Sequence, residues 1–213
     1  MQRTAALLPA RRRLRKALPA LLFFTDPIRT PDPEAVAWTL PRGAAIVYRS
    51  FGAPDAEARA RRLAAIARQR GLKLLIGQDA ALAARVGADG VHLPERLAHR
   101  AGPLKRARPD WLVTAAAHSL RAARRAGADA VVVSAALPSR SPSAGRPLGP
   151  ARMARLVRAA GRPVYALGGV TNETALRLRD SDVIGLAAVE GLAATPLPRA
   201  VIPVSPKAKT GTH

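Results

Sequence analysis

Short apolar runs recur along the chain at 20–25, 44–49, 73–76, 90–93, 112–116, 130–134, 163–167 and 183–188. They do not alternate strictly with polar positions, which is the pattern of strands covered on both faces, as in a parallel sheet flanked by helices. Between them lie stretches of helical period at about 33–39, 54–70, 79–86, 95–107, 119–126, 149–160 and 171–179. Ala53-Pro54-Asp55, Ser119 and the group Thr171, Asn172, Glu173 carry helix-start chemistry, and Gly71, Gly87, Gly127 and Gly161 fall where helical patterns stop.

The joints between helix and strand repeat. Val86-Gly87-Ala88-Asp89-Gly90-Val91-His92-Leu93 and Ala126-Gly127-Ala128-Asp129-Ala130-Val131-Val132-Val133 have one form, and Asp180-Ser181-Asp182-Val183-Ile184-Gly185-Leu186 is a degenerate third copy. Gly87 and Gly127 lie 40 residues apart, room for one strand-helix-strand-helix passage. Eight strands with intervening helices predict an α/β fold, a compact (β/α)8 TIM barrel. Its last helix is expected to be irregular, a stub near 197–202 among Pro196, Pro198, Pro203 and Pro206. The expected organisation is a basic N-terminal leader at 1–19, a barrel at 20–203 and a disordered tail at 204–213.

Composition narrows the classes. The chain has 213 residues, 48% apolar but only 3% aromatic, so its core must be built from Ala, Leu and Val. No apolar run is long enough to cross a bilayer, and a soluble protein is expected. With no cysteine there is no disulfide framework, thiolate metal site or cysteine nucleophile, in keeping with a cytoplasmic setting. The net charge of +21 raises nucleic acid as a partner, but 30 of the 35 basic residues are Arg and they recur on helix faces, such as Arg59, Arg61, Arg62 and Arg68. Solvated helix faces explain that pattern, and the chain lacks an aromatic stacking surface, so composition argues against nucleic acid. Arg11-Arg12-Arg13-Leu14-Arg15-Lys16 precedes the apolar run Ala20 to Phe24, and Thr25-Asp26-Pro27 stands where a signal peptide would need a small-residue cleavage site. The cluster reads as a basic leader feeding the first strand, and an organellar presequence remains open on charge alone.

In such a barrel, the loops after the C-terminal ends of the strands form the active face. After strand seven, Gly168-Gly169-Val170-Thr171-Asn172 offers backbone N–H groups and a helix start to a phosphate; a tight turn needing glycine for conformation alone is the other reading. After strand six, Pro138-Ser139-Arg140-Ser141-Pro142-Ser143 runs on to Gly149, a long loop whose hydroxyls and guanidiniums could close over a diphosphate. Tyr48 and Arg49 end strand two, where an arginine leaving an apolar strand calls for an anionic partner. His92 ends strand four and His118 follows strand five, both without an evident adjacent carboxylate. His99 and His213 read as incidental.

Together, Gly87 to Leu93, His118-Ser119-Leu120 before Ala126-Gly127-Ala128-Asp129, Pro138 to Gly149, and Gly168-Gly169-Val170-Thr171 resemble the thiamine-phosphate synthase and thiazole tautomerase family over about residues 20–192. The resemblance implies a transferase that joins an aminopyrimidine diphosphate to a thiazole phosphate, with Mg²⁺ helping the diphosphate leave. It implies catalytic roles for Arg49, Ser139 and Ser141. Substrate contacts are implied for Tyr48, Arg49, Gln78, His118, Ser139, Arg140, Ser141, Gly168, Gly169 and Val189. The chain departs from the family where Gly77 and Gln78 replace an Asn-Asp pair, Leu97 replaces a second metal Asp, Ala116 a serine, Pro142 a lysine and Glu190 a phosphate-contacting serine. Gln78 and Leu97 supply no carboxylate, so a metal site would need Asp79 or Glu95 in their place. The tautomerase histidine falls on Ala135 or Ala136, which argues against that activity. The alternative is a catalytically impaired member that binds a phosphorylated metabolite as sensor or carrier. No oligomeric state follows from the residues.

Overall fold

The computed structural model describes residues 18–139 and 145–190. Among these residues eight parallel strands close into a barrel in chain order, with β8 paired back to β1. They are β1 (Leu21–Phe24), β2 (Ala45–Tyr48), β3 (Lys73–Gly77), β4 (Gly90–Leu93), β5 (Leu112–Ala117), β6 (Ala130–Val133), β7 (Val164–Leu167) and β8 (Gly185–Ala188). The helices are α1 (Pro33–Thr39), α2 (Ala56–Arg70), α3 (Ala80–Val86), α4 (Ala101–Ala107), α5 (Leu120–Arg125) and α6 (Gly149–Ala160). The (β/α)8 barrel expected from the spacing is therefore present. The expected leader, closing helix and tail fall largely or wholly outside the described residues. No helix among the described residues is long and apolar enough to cross a membrane.

Strand residues divide by alternation into two buried layers. Leu22, Phe24, Val47, Leu75, Val132 and Tyr165 fill the barrel interior. Phe23, Ile46, Tyr48, Ile76, Val131 and Leu186 pack outward against the helices. Each fully buried Val, Leu or Phe contributes roughly 1.5–3 kcal/mol. The N-terminal end of the barrel is closed by Tyr165, whose hydroxyl donates to the Pro19 carbonyl at 2.7 Å.

The repeated Gly-Ala-Asp joint is a clamp at that same end. Asp89 accepts from the Leu74 N–H at 2.8 Å and Asp129 from the Val113 N–H at 2.9 Å, so each Asp ties its joint to the start of the preceding strand. Lys73 lies 3.7 Å from Asp89, and Lys105 pairs with Asp129. The motif that revealed the fold thus serves the fold, away from the loops that follow the strands. On α2 the buried stripe is Ala60, Leu63, Ala64, Ile66 and Ala67, while Arg61 and Arg62 face outward toward Glu57 and Glu34.

Two helical expectations are revised. The stretch at 95–107 is a 3-10 turn at Glu95–Arg100 followed by α4, because Pro103 has no N–H to donate to residue 99 and is tolerated only in the first turn of a new helix. The stretch at 171–179 starts late, as a 3-10 turn at Ala175–Ser181. Threonine hydroxyls take the hydrogen bonds of the missing turn: Thr174 Oγ1 accepts from the Thr171 N–H at 2.8 Å and donates to the Gly169 carbonyl at 2.6 Å.

Candidate active site

Arg49, Gln78, His118, Ser139, Gly168, Gly169 and Val189 all follow the C-terminal ends of their strands, on one rim of the barrel. Arg140 and Ser141 lie outside the described residues. Tyr48 stands apart from the others. Its side chain packs in the outer layer, where burial raises its pKa, with Asp55 and Glu34 adding to that effect and Arg59 and Arg62 of α2 opposing it. An unalternating apolar run does not reveal which of two neighbours faces inward; here Arg49 does.

Arg49 is held from several sides. Its backbone N–H donates to Thr25 Oγ1 at 2.9 Å, its Nε to the Thr25 carbonyl at 2.8 Å, and its Nη2 lies 3.5 Å from Asp26 Oδ2. The guanidinium carbon stands 5.6 Å from the Phe24 ring centroid and 5.0 Å from that of Phe51. Burial lowers its pKa, with Asp26 opposing that effect and Arg29 adding to it. Asp26 also accepts from Arg29 Nη2 at 2.9 Å. Burial alone would raise the Asp26 pKa, but hydrogen bonds from the Arg29 side chain and from the Arg29 and Ile28 N–H groups override it and hold the value at about 2. Asp26, Arg29 and Phe51 were not singled out from the sequence. The available signal was Asp26-Pro27 directly after an apolar run, a polar turn on the active face.

Beneath the rim, His92 is buried edge-on to Phe24, with ring centroids 4.9 Å apart, and its Nδ1 pairs with Thr114 Oγ1 at 2.9 Å. Burial, with the Arg49 charge adding to it, holds its pKa at about 3. The ring is neutral at physiological pH and packs as structure.

His118 does have a carboxylate partner, contrary to the expectation. Glu95 Oε2 accepts from its Nδ1 at 2.8 Å and from its backbone N–H. The next residue, Arg96, reaches the other way along the rim and donates to Gln78 Oε1 at 2.8 Å. Gln78 is left-handed at φ 54, and Phe51 is left-handed at φ 49; both border Arg49 or its neighbour.

On the opposite side, the loop after β6 is pinned to the double-glycine turn. Ala136 N–H donates to the Leu167 carbonyl at 2.8 Å and Leu137 N–H to the Gly168 carbonyl at 3.0 Å; Leu148 and Gly149 return to the carbonyls of Ala135 and Ala136. Gly168 and Gly169 have φ of +95 and +66, and a methyl group built on Gly169 would stand 2.2 Å from the Pro138 carbonyl oxygen. Only glycine fits there. The expected helix dipole at Thr171 is not in place, because the helical turn begins at Ala175. Val189 packs against the interior cluster, and Glu190 lies 4.0 Å from Arg29 Nε, which offsets its charge.

A divalent metal fits this rim poorly. Gln78 Oε1 already accepts from a cation, and Leu97 packs against the core. Asp79 caps α3 by accepting from the Leu82 N–H, and Glu95 is engaged by His118. Among the described residues no three His, Cys, Asp or Glu side chains gather where they could hold a metal ion.

Comparison with known proteins shows the family of the chain. A family model described as thiamine monophosphate synthase matches residues 21–192. The thiamine-phosphate synthase of Thiobacillus denitrificans is 35% identical over 178 residues, 76% of this chain and 82% of that protein. A relative from Aquifex aeolicus is 34% identical over 119 residues, 54% of this chain and 63% of that one. The solved thiamine phosphate pyrophosphorylase of Pyrococcus furiosus superposes with a TM-score of 0.67 at 25% identity, covering 83% of this chain and 87% of that one. The chain belongs to the thiamine monophosphate synthase family.

Proposed function

We propose that the chain is a transferase of thiamine biosynthesis that joins an aminopyrimidine diphosphate to a thiazole phosphate and releases diphosphate. The observation that supports this reading is that two groups suited to anions share one rim: Arg49, fixed by Thr25 and Asp26, and the Gly168-Gly169 turn, laced to the loop that bears Ser139. The thiazole nitrogen lone pair forms a bond to the pyrimidine methylene carbon. The carbon–oxygen bond to the diphosphate breaks, and its electron pair leaves with the oxygen. No proton needs to move, which suits a rim whose buried histidine is neutral.

Catalysis on this reading is positioning and charge neutralisation. Gly168 and Gly169 hold the thiazole phosphate through backbone N–H groups. Arg49 meets the diphosphate as charge develops on it, and Ser139, Arg140 and Ser141 belong to the loop that runs from the Gly168-Gly169 side and supply further phosphate donors; one well-placed donor of this kind is worth about 10²–10³ in rate. Gln78, His118 and Val189 are further substrate contacts on this reading. A magnesium ion would supply neutralisation of the departing diphosphate, but Gln78 and Leu97 offer it no carboxylate. The setting is the cytoplasm.

The test is to incubate the purified chain with both substrates and magnesium. Thiamine phosphate and diphosphate are expected in equal amounts; no product, while an established synthase works in parallel, rejects the reading. The replaced carboxylates at Gln78 and Leu97 favour a second reading, a carrier or sensor of a phosphorylated metabolite. Ligand binding without turnover is its signature.

A further inference from the structure

Arg49 and Arg96 border one two-residue turn, Gly77-Gln78. The Arg49 stem crosses Gly77 so closely that a methyl group built there would stand 3.3 Å from Arg49 Cγ and 3.1 Å from the Tyr48 carbonyl oxygen. Arg96 reaches the same turn from the segment after β4 and donates to Gln78 Oε1 at 2.8 Å. Gln78 keeps its left-handed backbone, with its N–H donating to the His92 carbonyl at 2.8 Å and the Asp79 N–H to the Gly77 carbonyl at 2.7 Å. The residues whose carboxylates would suit a cation here are a neutral amide and a leucine, and the acceptor oxygen of the amide is spent on a guanidinium. A dication brought to this turn would lose that oxygen as a ligand and meet the Arg96 charge.

We infer that Arg96, oriented by Gln78, and Arg49 form a guanidinium pair that takes over from a divalent cation the neutralisation of the diphosphate. This rests on the proposed reaction for the identity of the anion. Arg96 is a cation whose partner is neutral, so its charge remains available to an incoming anion, and a guanidinium presents forked donors that match phosphate oxygens. Arg49 is already partly balanced by Asp26. Arg96 is exposed, whereas Arg49 is fixed by Thr25 and Asp26. A side chain at Gly77 would crowd both the Arg49 stem and the Tyr48 carbonyl.

The test uses inorganic pyrophosphate as probe, titrated calorimetrically into the full chain with magnesium and, separately, with EDTA. Affinity is expected to agree within about threefold between the two conditions. Arg96→Gln is expected to weaken it about tenfold in both, the scale of one exposed charge-assisted contact, and Arg96→Lys to recover only part of the loss. Binding that requires magnesium, binding unaffected by Arg96→Gln, or no binding in either condition overturns the inference. The outcomes separate from those of the coupling reaction. Magnesium-dependent binding with normal turnover removes the guanidinium pair and leaves the synthase; metal-free, Arg96-dependent binding without turnover removes the synthase and leaves the pair.

Discussion

The two sides of the rim are built from different materials. From β6 to β7 the surface is backbone: two left-handed glycines, a loop stem pinned to them by main-chain hydrogen bonds, and threonine hydroxyls tying the turn to itself. From β2 to β5 it is side chains: Arg49 between two aromatic rings, Arg96 on Gln78, and Glu95 on His118. On the resemblance, Gly168 and Gly169 keep the family's pattern, while Gln78 and Leu97 depart from it. A cradle of N–H groups tolerates almost any neighbouring side chain provided its glycines stay. A site made of carboxylates and guanidiniums can be rewritten one residue at a time, and of the expected departures Gln78, Leu97 and Ala116 belong by chain position to the side-chain side, while Pro142 and Glu190 belong beside the backbone side.

Replacing Gly169 should have the largest effect. Gly169→Val puts a side chain 2.2 Å from the Pro138 carbonyl in a left-handed backbone, so turnover should fall about 100-fold or more, with poorer thiazole phosphate affinity and a lower melting temperature. A variant with unchanged affinity would show that the turn is conformational only. On the side-chain side, Arg49→Lys keeps the charge but loses the fork and the stacking. A fall of about tenfold to 100-fold in kcat/KM is expected, and equal activity would show that charge alone suffices.

The buried layer below the rim sets the acid limit. The folded His92 holds its proton only below about 3, against an ordinary value of 6.5, so between these values the unfolded chain binds a proton that the folded chain does not. Stability therefore rises with pH through that window and is lost as pH falls. Asp26 adds stability above its ordinary 3.8 that disappears as pH drops through about 2. Urea denaturation of His92→Gln, which retains a partner for Thr114, should show a flatter loss of stability from pH 7 to 4 than the parent chain. An unchanged slope would place the acid sensitivity elsewhere. The smallest effect belongs to Tyr48→Phe, which removes a hydroxyl from the outer layer: activity should stay within about twofold, and a tenfold loss would return Tyr48 to the substrate side.

The barrel was legible because its signals are local and repeated. The Gly-Ala-Asp joints mark the N-terminal ends of strands, and their Asp residues bond neighbouring strand N–H groups in the folded chain. The site was legible where glycine pairs and loop hydroxyls announce a backbone cradle. It was less so where function depends on which way a side chain faces. Tyr48 and Arg49 are neighbours in an unalternating run, and only the closed barrel sends one outward and the other in. Asp26 with Arg29, and Phe51, come to Arg49 from two different loops, and the Glu95 partner of His118 lies 23 residues away in sequence, a pairing no local pattern encodes. The late start of the turn at Ala175 follows from hydroxyl bonds that compete with the helix, which helical periodicity cannot register.

The most direct test is a crystal structure of the chain soaked with thiazole phosphate. Density for the phosphate against the N–H groups of Gly168 and Gly169, with the ring directed toward Arg49 across the barrel mouth, is the predicted result. A phosphate held at the N-terminal end of the barrel, or on the arginine faces of the helices with the rim empty, would contradict it.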